Sequence, residues 1–101
     1  MGAIVVEILF SLAFADGCNT TTTGNGFVLL NGNGVAGVPV SFTVTGPATV
    51  SPTNTTTGAG GAFSTGVMPF GPGNITITIT ATINNLPPIS SDFNFVSPCP
   101  A

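Results

Sequence analysis

The sequence predicts an all-β fold, a sandwich of about seven short strands preceded by an apolar N-terminal extension. Apolar and polar residues alternate in several short runs, and turns rich in Gly, Pro and Asn separate these runs about every ten residues. No helical pattern appears after Asp16. A chain of 101 residues is long enough for one domain and too short for a second.

The sequence signals are clearer for some strands of this sandwich than for others. In residues 74–83, Ile and Ala alternate with Thr, which favours a half-buried, pleated surface. In residues 38–45, Val and Phe alternate with Ser and Thr, and Pro39 marks an edge position or the start of the strand. The Asn-Gly pairs of residues 31–34 predict a tight turn. Shorter strands are predicted at residues 27–30, 48–51 and 62–68 and around Phe93 and Phe95.

The order of these signals resembles the bacterial immunoglobulin-like domains of invasin and intimin type. The matching segments are residues 34–44 (GVAGVPVSFTV), 48–52 (ATVSP), 57–65 (TGAGGAFST) and 73–82, within a resemblance that covers roughly residues 27–96. The chain departs from the family pattern at Ala59, where an acid is usual, and in its terminal cysteines. The resemblance implies an immunoglobulin-like β-sandwich and a mechanical role as a rod-like spacer or filament module.

Three segments follow from this assignment. Residues 1–15 form an apolar leader, residues 16–26 a polar linker, and residues 27–101 the immunoglobulin-like sandwich.

The leader supports three interpretations. Alternation predicts an assembly strand that completes the sheet of another subunit, with apolar side chains at Ile4, Val6, Ile8, Phe10, Leu12 and Phe14. The small residues before Asp16 suit a cleaved export signal, although Glu7 and the lack of basic residues oppose it. Residues 2–7 resemble the processing site of type IV pilins, whose mature chain begins with a helix. At thirteen residues, the apolar run is too short to span a bilayer, which takes about 20.

Cys18 and Cys99 lie near the two ends of the β-rich part. Buried free thiols are common in protein cores. The polar, turn-like surroundings of both residues favour a disulfide instead, either within the chain or to a neighbour. A bond within the chain would contribute on the order of 4 kcal/mol by the chain-entropy model.

Charge is almost absent, since the chain has no Lys, Arg or His and its acids are Glu7, Asp16 and Asp92. Nucleic-acid binding and attraction to anionic membranes both require cationic side chains. Nucleophilic triads require His or Lys, and metal sites require more ligands than these. We therefore expect no enzymatic activity, no cofactor and no metal.

Two surface features remain open. Asn19, Asn54 and Asn74 each begin a glycosylation pattern, which also arises by chance in a chain this rich in Thr. The threonines of residues 76–82 form either a solvated sheet face or a surface that binds an ordered polysaccharide.

The sequence thus predicts a non-enzymatic structural module of an extracellular assembly, either a cell-surface filament or pilus subunit or part of an adhesin stalk. Its expected partners are copies of itself or neighbouring modules, and donor-strand addition by the leader is the predicted route of polymerisation. The alternative is a secreted or surface module that binds carbohydrate or a receptor, with residues 1–15 cleaved as a signal peptide. The absence of Trp and Tyr weighs against that alternative. A third class of function, the accessory domain of an enzyme, applies if the chain is a fragment of a longer protein.

Overall fold

The computed structural model describes residues 4–12 and 17–100. Within these residues the chain is all-β, and its one helical turn is a 3-10 turn at Ala59–Gly61. No helix in this part of the chain has the length and apolarity to cross a membrane. The strands are β1 Val6–Leu12, β2 Thr22–Leu30, β3 Asn33–Gly34, β4 Pro39–Thr45, β5 Ala48–Ser51, β6 Asn54–Thr56, β7 Ala62–Pro69, β8 Asn74–Ala81 and β9 Ile89–Val96.

Two antiparallel sheets pack face to face, which confirms the predicted sandwich. The first sheet has the order β1-β2-β7-β5, and β3 also pairs with β2. The second sheet has the order β6-β4-β8-β9. The edge strands β1 and β9 approach each other across the sandwich. Their rings Phe10 and Phe93 meet edge to face, with centroids 5.3 Å apart. We call this side of the molecule the seam.

The core lies between the two sheets and follows the alternation of the sequence. Ile75, Ile77 and Ile79 of β8 are fully buried, and the threonines between them lie on the outer face. β4 buries Val40 and Phe42 in the same way. The first sheet contributes four further residues to this core: Val28, Ala48, Phe63 and Val67. The predicted faces of β4 and β8 are therefore confirmed.

A buried polar residue, Thr57, fixes the corner between β6 and β7. Its hydroxyl donates a hydrogen bond of 2.6 Å to the Val35 carbonyl oxygen. The same hydroxyl accepts a hydrogen bond of 2.9 Å from the Val38 amide. These bonds connect two segments that carried the family resemblance, residues 34–44 and 57–65. Because a buried hydroxyl without partners is costly, both bonds stabilise this corner.

The first sheet differs from the sequence-based expectation at β2. This strand begins at Thr22, so it takes in part of residues 16–26, which we predicted to be a polar linker. Gly24 and Gly26 caused the error, because glycine in a polar segment is typical of a turn. Here both are buried within the strand, where an added Cβ would collide with the ring of Phe10 at Gly24 and with the ring of Phe63 at Gly26. The aromatic rings occupy the space that side chains would otherwise fill.

Candidate functional site

The N-terminal strand β1 lies in the sheet of its own chain. It pairs with β2 along its whole length, from Val6 opposite Leu30 to Leu12 opposite Gly24. Beyond the strand, the Asn31 side chain accepts a hydrogen bond of 2.9 Å from the Val5 amide, and the Asn31 amide donates one of 2.8 Å to the Val5 carbonyl. Residues 6–12 thus form a strand rather than a pilin-like helix. They also have a place in their own sandwich, which the sequence did not suggest.

The alternation predicted for the leader is present in β1. Val6, Ile8, Phe10 and Leu12 face inward, are partly buried and pack against the core. Ile4 precedes the strand and is 60% exposed, and Phe14 lies outside the described residues. A role for these residues in assembly stays a prediction.

Phe10 is the main anchor of β1. Its ring stacks on Phe63 of β7 with centroids 6.1 Å apart and meets Phe93 of β9 edge to face. Both arrangements are favourable for aromatic pairs. The space under the ring is open because β2 has glycine there, at Gly24. The seam therefore has a site that matches one aromatic side chain of β1.

The start of β1 borders an apolar groove. Ile4, Val5 and Val6 line one side of the groove. Leu86, Pro87 and Ile89 line the other side, and the groove has a volume of about 420 Å³. Ile4 and Val5 are at least half exposed here. Apolar side chains are thus exposed to solvent at this end of the seam.

A disulfide joins Cys18 and Cys99 within the chain, with their Cα atoms 4.8 Å apart. Neighbouring hydrogen bonds hold the two residues at the same end of the sandwich. The Asn19 amide donates to the Pro69 carbonyl, and the Ser97 amide donates to the Gly73 carbonyl. The bond closes residues 18–99 into a covalent ring, and β1 lies outside that ring.

The two ends of the described chain lie at opposite ends of the molecule. Val6 pairs with Leu30 at the end of β2, whereas Cys99 is bonded to Cys18, shortly before the start of β2. The molecule is elongated, with extents of 52 × 21 × 18 Å. We call the two poles the N-terminal pole and the disulfide pole.

The outer face of the second sheet is polar. Hydrogen bonds link β8 to β9 at three successive pairs: Thr76 with Asn94 at 2.6 Å, Thr78 with Asp92 at 2.9 Å, and Thr80 with Ser90 at 2.9 Å. A shallow trough of about 450 Å³ lies beside them, lined in part by Ser41, Asn54 and Thr56. Among the outward positions of β4, β6, β8 and β9 there is no aromatic residue.

The acids of the described residues lie apart. Glu7 is on the outer face of the first sheet and Asp92 on that of the second, while Asp16 lies outside the described residues. Within residues 4–12 and 17–100, no three His, Cys, Asp or Glu residues gather as a metal site would require. Asn19, Asn54 and Asn74 are all exposed, so the predicted glycosylation positions are accessible. Their modification stays a prediction.

Comparison with known proteins gives matches in structure only. No protein-family model matches the sequence, and no curated protein matches it. A solved structure described as the D00-D0 domain of intimin superposes with a TM-score of 0.67 at 22% identity, over 87% of this chain and 46% of that one. The D0-D1 domain of intimin gives a TM-score of 0.65 at 26% identity, over 93% of this chain and 49% of that one. The chain has the immunoglobulin-like fold of the intimin domains.

The predicted resemblance to intimin-type domains is therefore confirmed at the level of the fold. The chain spans about half the length of either intimin structure, 46% in one and 49% in the other. Each of these structures is described by a pair of intimin domains, D00-D0 in one and D0-D1 in the other. The match thus has about the extent of one domain of each pair.

Proposed function

We propose that this intimin-type domain is an exported structural module, one spacer unit in the stalk of a bacterial surface adhesin or filament. One observation carries the proposal: the two ends of the described chain lie at opposite poles of an elongated molecule. A module with this arrangement extends an array when joined to the next one. Its neighbours in the proposal are further modules of a surface protein.

Exposed apolar residues at both poles support end-to-end contact. Ile4 and Val5 are exposed at the N-terminal pole. Phe70 and Val96 are exposed at the disulfide pole, at 53% and 72%. Apolar residues at an interface lose their contact with water when a neighbour covers them. The two poles therefore suit junctions between modules.

The disulfide and the surface composition support an extracellular location. Disulfides persist in oxidising compartments and are rare in the cytosol. The polar surface consists of hydroxyl and amide groups instead of charges, since the chain has no Lys or Arg. Such a surface offers no cleavage site to proteases that require a basic residue.

A carbohydrate-binding module is the second candidate. Its support is the trough on the outer face of the second sheet, where hydroxyl and amide groups from several strands converge. Hydroxyl and amide groups can both donate hydrogen bonds to the hydroxyls of a sugar and accept hydrogen bonds from them. The outer face lacks the aromatic residues that would add stacking, so we place this candidate after the spacer.

Two copies of the chain fused in tandem would test the spacer proposal. Small-angle X-ray scattering should give a longest dimension of about twice the 52 Å of one copy. A fusion whose longest dimension stays near that of one copy would contradict end-to-end stacking. The variants Phe70→Ser and Val96→Ser should weaken the contact between the two copies. They should not unfold either copy, because both residues are exposed.

Fractionation of the native source would test the location. We expect the protein in the cell-surface fraction with Cys18 and Cys99 oxidised, as shown by mass spectrometry of alkylated protein. A cytosolic protein with two free thiols would rule out the exported module. The mass of its N-terminal peptide would also show whether residues 1–15 are retained.

A further inference from the structure

We infer that β1 is an exchangeable arm, which leaves its own sheet and pairs with β2 of a second copy of this chain. The two copies would form a reciprocal pair joined near their disulfide poles. This inference goes beyond the proposed function, because it concerns two copies that meet at their disulfide poles rather than modules joined end to end. It replaces open-ended donor-strand addition with a closed contact between two modules.

The covalent topology singles out β1. Strands β2 to β9 all lie within the ring that the Cys18–Cys99 bond closes. β1 lies outside it and is joined to it only through the chain that leads to Cys18. Release of β1 therefore leaves the ring and its central core in place. The other strands all lie within the ring, so none of them can leave the sandwich while the ring and its core stay in place.

The contacts of β1 are those of an arm that can be released. As an edge strand, it is hydrogen-bonded to β2 alone. Its four inward residues are only partly buried, whereas the inward isoleucines of β8 are fully buried. Less apolar surface returns to water when such a strand leaves, so its release is easier than that of a central strand.

The vacated site would still be specific for β1. Gly24 and Gly26 would leave an open floor on β2, bordered by Phe63 and Phe93. The ring of Phe10 fills this floor in the closed molecule. A second copy supplies the same ring in the same register, so the contacts are identical in the closed and the exchanged forms. Exchange of identical elements is a common route to dimers for this reason.

The length of chain between β1 and Cys18 limits how the two copies can be arranged. Six residue steps separate Leu12 from Cys18, and such a chain spans at most about 21 Å when fully extended. In the exchanged form, Leu12 lies opposite Gly24 of the second copy, at that copy's disulfide pole. Both disulfide poles must therefore lie within this distance of each other. Copies stacked end to end along their 52 Å axis in the same direction do not meet this condition.

Engineered cysteines would test the exchange. Leu9 and Phe27 are opposite each other on β1 and β2, and both are about half exposed, so cysteines there leave the core intact. The variants L9C and F27C would be prepared separately, mixed, and oxidised gently after incubation. A mixed disulfide between them forms faster when β1 of one copy lies on β2 of the other, because the two thiols are then held opposite each other. L9C mixed with T49C is the matched control, because Thr49 is exposed on the distant strand β5 of the same sheet.

We expect at least about tenfold more heterodimer from the first mixture than from the control, since pairing raises the effective concentration of the two thiols. Peptide mapping with a non-tryptic protease would place the new bond between residues 9 and 27. Equal yields from the two mixtures would overturn the exchange. If either variant folds poorly, S11C with N25C repeats the measurement at the next outward pair in the same register.

The double variant L9C/F27C would test the closed arrangement. Oxidised at high dilution, it should give a monomer whose arm is locked in its own sheet. Oxidised after incubation at high concentration, it should give a covalent dimer and no larger species. A ladder of longer chains would overturn the reciprocal pair, and a monomer under both conditions would overturn the exchange. Neither result bears on the length of the tandem fusion or on the cellular location, so the proposed function is tested separately.

Discussion

The N-terminal strand and the disulfide-closed body are built from the same alternating pattern, yet the structure holds them differently. Both β1 and β8 place isoleucine at inward positions. In β8 these residues are fully buried, because β8 lies between β4 and β9 and beneath the first sheet. In β1 the one inward isoleucine, Ile8, stays partly exposed, because β1 has a neighbour on one side only. Position within the sheet, rather than residue type, determines how much each isoleucine contributes to stability.

The covalent connection separates the two regions further. The body is constrained in the unfolded state by a bond between residues 81 positions apart, and β1 is not. The body and β1 therefore differ both in covalent constraint and in the burial of matched residues.

Removal of the disulfide should have the largest effect. The double variant C18S/C99S should lose about 4–5 kcal/mol of unfolding free energy, because the unfolded chain regains the entropy of an open loop of this size. Urea denaturation of the oxidised, reduced and double-variant proteins would measure it. The reduced wild type is the control for the substitutions themselves. A loss below about 1 kcal/mol would show that the ring contributes little to the distinction between body and arm.

Matched isoleucine truncations should separate the two regions by burial. Ile77→Ala should cost about 3–4 kcal/mol, since the fully buried side chain leaves a cavity between the sheets. Ile8→Ala should cost about 1–2 kcal/mol, since solvent already reaches the partly buried side chain. Both values come from urea unfolding of the oxidised proteins. Equal losses would mean that β1 is as firmly held as the central strand.

Loss of a buried hydroxyl should have a smaller effect, confined to the body. Thr57→Val should cost about 1–3 kcal/mol, because the Val35 carbonyl and the Val38 amide both lose a buried partner. Thr43→Val is the matched control: Thr43 is exposed on β4, and its variant should stay within about 0.5 kcal/mol of the wild type. Thermal unfolding followed by circular dichroism would compare the two. Equal unfolding midpoints for the two variants would show that the Thr57 hydroxyl does not stabilise the corner.

The strands that the sequence predicted best are those where alternation and burial coincide. β4 and β8 carry apolar residues at every second position, and the structure buries those positions. The order of turns and strands in the sequence also indicated the intimin-type fold. These features depend on local pattern, which a single sequence records in full.

The remaining features depend on contacts between distant residues. Gly24 and Gly26 indicated a turn because nothing nearby in the sequence shows that aromatic rings from β1 and β7 cover them. Thr57 resembled the other threonines around it, since its buried partners lie about twenty residues earlier in the chain. The place of β1 in its own sheet was missed for a related reason: residues 27–101 already contain enough strands for a sandwich. Pairing between β1 and β2 could not be read from alternation in either strand alone.

The position of the disulfide has a mechanical consequence for a module in a stalk. If the molecule is pulled by its two poles, the shortest covalent path runs along β1, across the bond between Cys18 and Cys99, and out through Pro100. The residues from 19 to 98 lie off this path and carry none of the load. Tension can straighten only the short length of chain before Cys18, so a loaded module keeps its folded body and nearly its resting length.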